Sequence, residues 1–316
     1  MVRAKVLAFT SLVMAFLVVV PSAHAASPDA LEDFDRLWDY DHPDATEKKF
    51  RALLPAAERA ANFSYELQLL TQIARCQGLQ GKFDECQATL DSVERRLTDD
   101  FSVARIRYLL ERGRAFNSAD HPDKAMPFFV KAWEKAKDAG EDGYAIDAAH
   151  MVAIAEPNLE RQIEWNRRAL ALAERSSKQQ DWIPTILNNL GESYRASGKY
   201  SEALDCFQRQ AQWSRDRHEE VDIYTTKDIA RMNRMLGHSD VALKLIEPVA
   251  KDLKSHGKPD GYISAEYGQC LYAMGRRDEA RPFLVEAYQL LSKDDYMVKN
   301  EPEELKHIKE LSGFQE

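Results

Sequence analysis

A unit of two short helices returns seven times along this chain, and that periodicity leaves few ways to fold it. The clearest copy runs from Leu187 to Ala211, LNNLGESYRASGKYSEALDCFQRQA. Leu187, Leu190, Gly191 and Tyr194 recur at helical spacing, Gly198 closes the first helix, and Ala203, Leu204 and Phe207 begin a second apolar stripe. Gly198 suits the left-handed conformation that ends a helix. Gly191 sits mid-helix, where glycine costs about 1 kcal/mol against alanine; close approach by Ala203 of the second helix is the expected reason. The residue opening the second stripe recurs as Thr46, Cys86, Ala125, Gln162, Ala203, Ala242 and Ala280, at intervals of 37 to 41 residues. A slot on the first helix runs Phe34, Ala74, Gly113, His150, Gly191, Ala230 and Gly268. A bulky slot runs Phe50, Leu90, Phe129, Asn166, Phe207, Ile246 and Leu284. Such recurrence is the mark of a solenoid, whose units bury their apolar faces on one another. An apolar fraction of 44% suffices for that spine. No sustained two-residue alternation marks a strand, so the expected class is all-α.

The Leu187–Ala211 pattern closely resembles the tetratricopeptide repeat (TPR), and the likeness covers most of Asp44 to Lys293. It implies a right-handed α-solenoid of about seven helix-turn-helix repeats. Turn glycines stand at Gly81, Gly198, Gly237 and Gly275, while SADHP (Ser118 to Pro122) and EPN (Glu156 to Asn158) turn the third and fourth units. Because TPR units usually recur about every 34 residues, each unit here carries roughly one extra helical turn. The run DAAHMVAIAEPN followed by IEWNRRALALAE also resembles exported bacterial TPR proteins, a likeness that implies no function. The expected organisation is a leader over 1–25, an irregular N-terminal repeat or cap over 26–61, repeats over 62–294, and a C-terminal capping helix and tail over 295–316. In the last segment Leu305, Ile308 and Leu311 form the buried side.

Residues 1–25 read as a cleavable signal peptide. Arg3 and Lys5 precede an apolar run from Val6 to Val20, and PSAHA ends in a small-x-small site before Ala26. The run is shorter than the ~20 residues a bilayer span needs, and no second such run follows. The expected location is exported, periplasmic or secreted. Removing the leader moves the formal charge from −9 to −11. An acidic exported chain is a poor nucleic-acid binder.

Catalytic signatures are sparse. The chain has no C-x-x-C, H-E-x-x-H, G-x-S-x-G, Walker A or G-x-G-x-x-G motif, so no metal, cofactor or enzyme activity is expected. Cys76 and Cys86 share one unit and a bridge between them is conceivable, but the cysteines take small, buried repeat slots and read as structural thiols. The fourth unit departs most, with His150, Gln162 and Asn166 in core slots. Asp147 and His150 lie one turn apart on one helix, an arrangement able to orient an imidazole for general-base work. The alternative reading is therefore an exported enzyme or small-molecule sensor around Asp147, His150 and Asn166; a packed, hydrogen-bonded His150 is the plainer account.

In TPR stacks the first helices line a concave surface. By that resemblance the inward positions include Gln68, Thr71 and Arg75; Arg107, Arg114 and Asn117; Tyr144, Asp147 and Met151. They continue with Asn188, Glu192 and Arg195; Tyr224, Lys227, Arg231 and Arg234; Tyr262, Gln269 and Tyr272. Seven cations face two anions on this strip, and Tyr and Arg are the types that carry binding hot spots. The expectation is a non-enzymatic scaffold that binds an acidic or carboxylate-bearing peptide, with arginines as bidentate donors. The bland reading is a solvated helix face, on which charge is common. The carboxylate clamp of chaperone-binding TPR domains is partly matched by Asn188 and Asn189, but Glu192 stands where an asparagine should donate. Self-association through the apolar ends of the stack is left open.

Overall fold

The computed structural model describes residues 31–314; the leader reading lies outside them. Among these residues all regular structure is helical. A 3-10 turn, Phe34–Leu37, precedes α1 (Pro43–Arg59), α2 (Phe63–Leu79), α3 (Phe83–Glu94), α4 (Ser102–Ser118), α5 (Pro122–Asp138) and α6 (Asp142–Ala155). Then come α7 (Leu159–Arg175), α8 (Ile183–Ala196), α9 (Tyr200–Asp216), α10 (Ile223–Met235), α11 (Ser239–Ser255), α12 (Gly261–Ala273) and α13 (Arg277–Leu291). The chain closes with α14 (Asp295–Asn300) and α15 (Pro302–Ser312). The described residues form two compact units, one of 31–156 with 171–180, the other of 157–170 with 181–314.

The turns follow from the residues that close each first helix. Gly81, Gly198, Gly237 and Gly275 all adopt positive φ, and Asp120 of the SADHP turn does the same at 65°. At Gly198 the amide of Lys199 reaches back to the Tyr194 carbonyl at 2.9 Å, so the left-handed residue closes carbonyls that the helix end leaves open. His121 bonds to Phe116 in the same way at 2.9 Å, and Pro122 then starts α5, where its missing N–H is harmless. The EPN turn works without a left-handed residue: Glu156 is extended, with φ −74° and ψ 123°. The added length falls on different helices in different units: the second helices α1, α5, α7, α9 and α11 each run 17 residues, and so do the first helices α2 and α4.

The repeating slots fall in the interior. Phe50, Leu90, Phe129, Phe207, Ile246 and Leu284 are fully buried, a change worth about 1.5–3 kcal/mol for each such side chain. Thr46, Cys86, Ala125, Ala203, Ala242 and Ala280 are buried beside them. One detail differs from the sequence reading. A Cβ on Gly191 would come within 2.7 Å of the Phe207 ring, so the close approach is by that ring and not by Ala203. Gly268 meets Leu284 at 2.7 Å and Gly113 meets the Phe129 ring in the same manner. Glycine in the first helix is matched to a large side chain sixteen residues on.

The first unit lacks a full first helix. The 3-10 turn replaces a first helix, and the Phe34 ring packs edge-on against Phe50 at 6.0 Å and Tyr65 at 5.1 Å. At the other end the expected capping helix is α15, preceded by the short α14. Met297 and Ile308 are buried in the core formed with α10 to α13, and Leu305 and Leu311 pack against it. The four cysteines are free and buried, Cys76 and Cys86 among them. Burial pushes both of those thiols up to about 12, so they behave as small apolar side chains.

Candidate functional site

The first helices present their charged residues every three or four positions, which places them on one face. In the N-terminal unit that face is a chain of ion pairs. Arg75 of α2 lies 3.3 Å from the Glu111 carboxylate of α4. Glu111 also accepts from Arg114 at 2.7 Å, and Arg114 reaches Asp147 of α6. Burial disfavours the Asp147 carboxylate, yet the neighbouring Arg114 and Arg75 hold its pKa below the usual range. Arg107 is held by Asp35 of the 3-10 turn, with one bond at 3.0 Å. Its guanidinium also lies 5.1 Å from the Phe34 ring centre and 5.2 Å from that of Tyr144. Trp38 and Tyr40 stack at 4.7 Å, and the Arg75 guanidinium lies within 5.8 Å of both ring centres. Thus the segment before α1 covers part of the face built by α2 and α4.

In the C-terminal unit the face belongs to α8, α10 and α12. Arg195 donates to Glu192 at 2.8 Å and lies 3.5 Å from Glu301. Arg231 lies 3.5 Å from Glu304, which also accepts from Gln269 at 3.0 Å. Arg234 grips Glu266 with two bonds of 2.7 and 2.8 Å. Lys227 meets Asp228 at 2.8 Å and lies 5.8 Å from the ring centres of both Tyr224 and Tyr262. The Tyr224 hydroxyl donates to Asp260 at 2.8 Å, while the other oxygen of Asp260 caps α12. Asn188 donates to Asn189 at 3.5 Å, and Tyr272 lies 5.1 Å from the Arg277 guanidinium. Two neighbouring carboxylates are driven apart. Burial raises Glu192, but Arg195, Lys227 and Arg231 bring it below the usual range. Burial, with the Glu192 charge close by, lifts Asp228 above that range despite Lys227.

Comparison with known proteins places this geometry. The Tetratricopeptide repeat family model matches residues 185–209, which are α8 and the start of α9. The apo form of RapI superposes with a TM-score of 0.65 at 10% identity, over 88% of this chain and 86% of that one. A tetratricopeptide repeat protein from Parabacteroides merdae aligns over 89% of this chain and 99% of its own, at 16% identity and a TM-score of 0.50. The fold is that of a tetratricopeptide-repeat protein. NprR in complex with its cognate peptide NprX shares the TPR fold, with a TM-score of 0.53 and 15% identity over 84% of this chain and 78% of that one. The apo form of that quorum sensor, from B. thuringiensis, gives 0.59 at 14% identity, over 87% and 78%. Sequence comparison with curated proteins finds no match.

In both units the first-helix face carries a different charge from the one its positions suggested. The sequence count of seven cations against two anions omitted Glu111, Asp228 and Glu266, which lie on the same helices. It also omitted Asp35, Glu301 and Glu304, brought in by the terminal segments. With these, every cation on the strip has a carboxylate partner. Glu111 was legible as a neighbour three residues before Arg114; Asp35, Glu301 and Glu304 had no local signal.

The fourth-unit residues are interior. His150 is buried, and its pKa falls to about 4 because burial and Arg114 outweigh the attraction of Asp147. The Asp147 carboxylate is engaged by Arg114. Gln162 and Asn166 are buried in the C-terminal unit, where Ser193 donates to Gln162 at 3.4 Å and receives the Asn166 amide at 3.5 Å. A pocket of about 260 Å³ lies elsewhere, lined by Glu94, Arg105, Tyr108, Phe128 and Lys131 among others; it includes neither His150 nor any residue of the charged face.

Proposed function

We propose that this TPR chain is a non-enzymatic scaffold that takes an acidic or carboxylate-bearing segment of a partner protein on the first-helix face of one of its units. The observation that carries this reading is the set of guanidinium groups fixed in place on neighbouring first helices within each unit. Each is held by a carboxylate yet keeps solvent access: the side chains of Arg75, Arg195 and Arg231 are 21%, 20% and 23% exposed. A donor already held in one geometry loses little freedom when it binds, which favours affinity. Guanidinium has five N–H donors, more than one carboxylate uses. Tyr224 and Tyr262 beside Lys227 add rigid contact area. TPR folds generally serve interaction, and the peptide complex of the structurally similar NprR supports a peptide ligand. The contacting residues proposed are Arg75, Arg107, Arg114 and Tyr144 in the N-terminal unit, and Asn188, Glu192, Arg195, Tyr224, Lys227, Arg231, Arg234, Tyr262 and Tyr272 in the C-terminal unit.

The setting proposed is the cell envelope or the exterior, on the strength of Arg3, Lys5, the apolar run and the Ala23-x-Ala25 site. Amino-terminal sequencing of protein recovered from an export fraction should begin at Ala26; an intact Met1 start there would remove the leader reading. For the scaffold, capture from a cell-envelope extract is compared between wild type and Arg231→Gln. Arg231 is suitable because its ion pair is long and partly exposed, so the variant should keep its melting temperature. A prey held by wild type and lost by the variant supports the face. Equal capture by both would move recognition elsewhere on the molecule.

A further inference from the structure

The face of α8, α10 and α12 is already covered in part by the chain itself. From Asp294 onward the backbone turns back over these helices. Glu301 approaches Arg195 of α8 at 3.5 Å. Glu304 approaches Arg231 of α10 at 3.5 Å and accepts from Gln269 of α12 at 3.0 Å. Three successive first helices therefore contribute one donor each to two carboxylates at the start of α15. Those carboxylates sit where a helix prefers negative charge, and Pro302 sets the helix start between them.

The segment has two kinds of attachment. Met297 and Ile308 are buried in the core and hold α14 and α15 to α13 and its neighbours. The acidic contacts are looser: the Glu301 and Glu304 side chains are 31% and 26% exposed, and both arginine contacts are at 3.5 Å. Partly exposed ion pairs of that length are weaker than buried, two-bonded ones and more readily exchanged. We propose that this face binds the acidic leading turn of a partner helix, and that the start of α15 is its built-in occupant, displaced when such a helix binds. The inference rests on the scaffold reading above and adds both the shape of the partner and the regulation of the face. The partner is an amphipathic helix with two carboxylates three residues apart in its first turn, since Glu301 and Glu304 show that spacing to fit Arg195 and Arg231. Its apparent affinity is reduced by the fraction of molecules in which the chain's own segment lies on the face.

The test uses a fluorescent peptide with the sequence of residues 294–314, titrated by anisotropy into the purified protein. A second peptide carries glutamine in place of the residues equivalent to Glu301 and Glu304. The protein is compared with a Glu301→Lys, Glu304→Lys variant, in which like charge drives the built-in carboxylate sites off the arginines. Both positions are solvent-accessible, and Glu304→Gln alone serves as the milder variant should the double one melt early. The expected result is weak binding to wild type, binding about tenfold tighter to the variant, and loss of that gain with the glutamine peptide. Equal binding of the acidic peptide to wild type and variant would overturn the displacement while leaving the scaffold reading in place. No binding to either folded protein would overturn both. Tighter binding to the variant that the glutamine peptide retains would overturn the assignment of the carboxylates.

Discussion

Glu266 is almost closed off from water, with Arg234 as its two-bonded partner. A buried carboxylate left without its cation keeps the desolvation cost and loses the compensation. Arg234→Gln should therefore destabilise the protein by about 3–5 kcal/mol, read as a lower urea midpoint with an unchanged slope. The partly exposed Arg231 should show a much smaller loss, of at most about 1 kcal/mol. His150 gives a pH prediction of definite sign. Its folded pKa, about 4, lies below the ordinary value of 6.5, so the unfolded chain binds a proton that the folded one refuses. Stability is then full above pH 6.5 and falls as pH drops toward 4, by about 3 kcal/mol in all. Asp147, held below the usual carboxylate range, loses its contribution only at lower pH still. The raised Asp228 works the other way, gaining its proton in the folded state as pH falls. Comparing melting temperatures at pH 7 and pH 5 isolates His150: His150→Asn should shrink the decline between them. An unchanged decline in the variant would assign it to other groups.

At the scale of helices, the packing was legible because burial is periodic. The slots of Gly191 and Phe207 recur in every unit, and a residue type that repeats at one register reports the same environment each time. What periodicity could not give was the identity of the contact: a ring, Phe207, and not the small Ala203, fills the space over Gly191. Gly191→Ala should cost about 1–3 kcal/mol through overpacking, partly offset by the ~1 kcal/mol helix preference of alanine. Gly198 has open space around it but a φ of 75°, so Gly198→Ala should cost about 1–2 kcal/mol through backbone strain alone. Thermal melts of the two variants separate the causes, because a compensating Phe207→Leu change should rescue only the first. The electrostatic face was half legible. Arg195 and Arg231 could be placed on a helix face from their spacing. Glu301 and Glu304 reach them only because the chain folds back from its far end, and no local pattern encodes such a contact.

For a whole molecule of repeats, stability is roughly a sum of unit and neighbour-contact terms. Its ends need closing. Here both end segments do so while laying charge on first-helix arginines, Asp35 on Arg107 and Glu301 on Arg195. A formal charge of −9 thus coexists with first-helix arginines that are each paired to a carboxylate of the same chain. The claim that this face recognises an acidic helix is tested most directly by amide hydrogen exchange. The purified protein would be compared with and without a saturating peptide of residues 294–314. Slower exchange in α8, α10 and α12, with faster exchange in α14 and the first turn of α15, is the predicted result. Protection confined to α9, α11 and α13, or none anywhere, would contradict it.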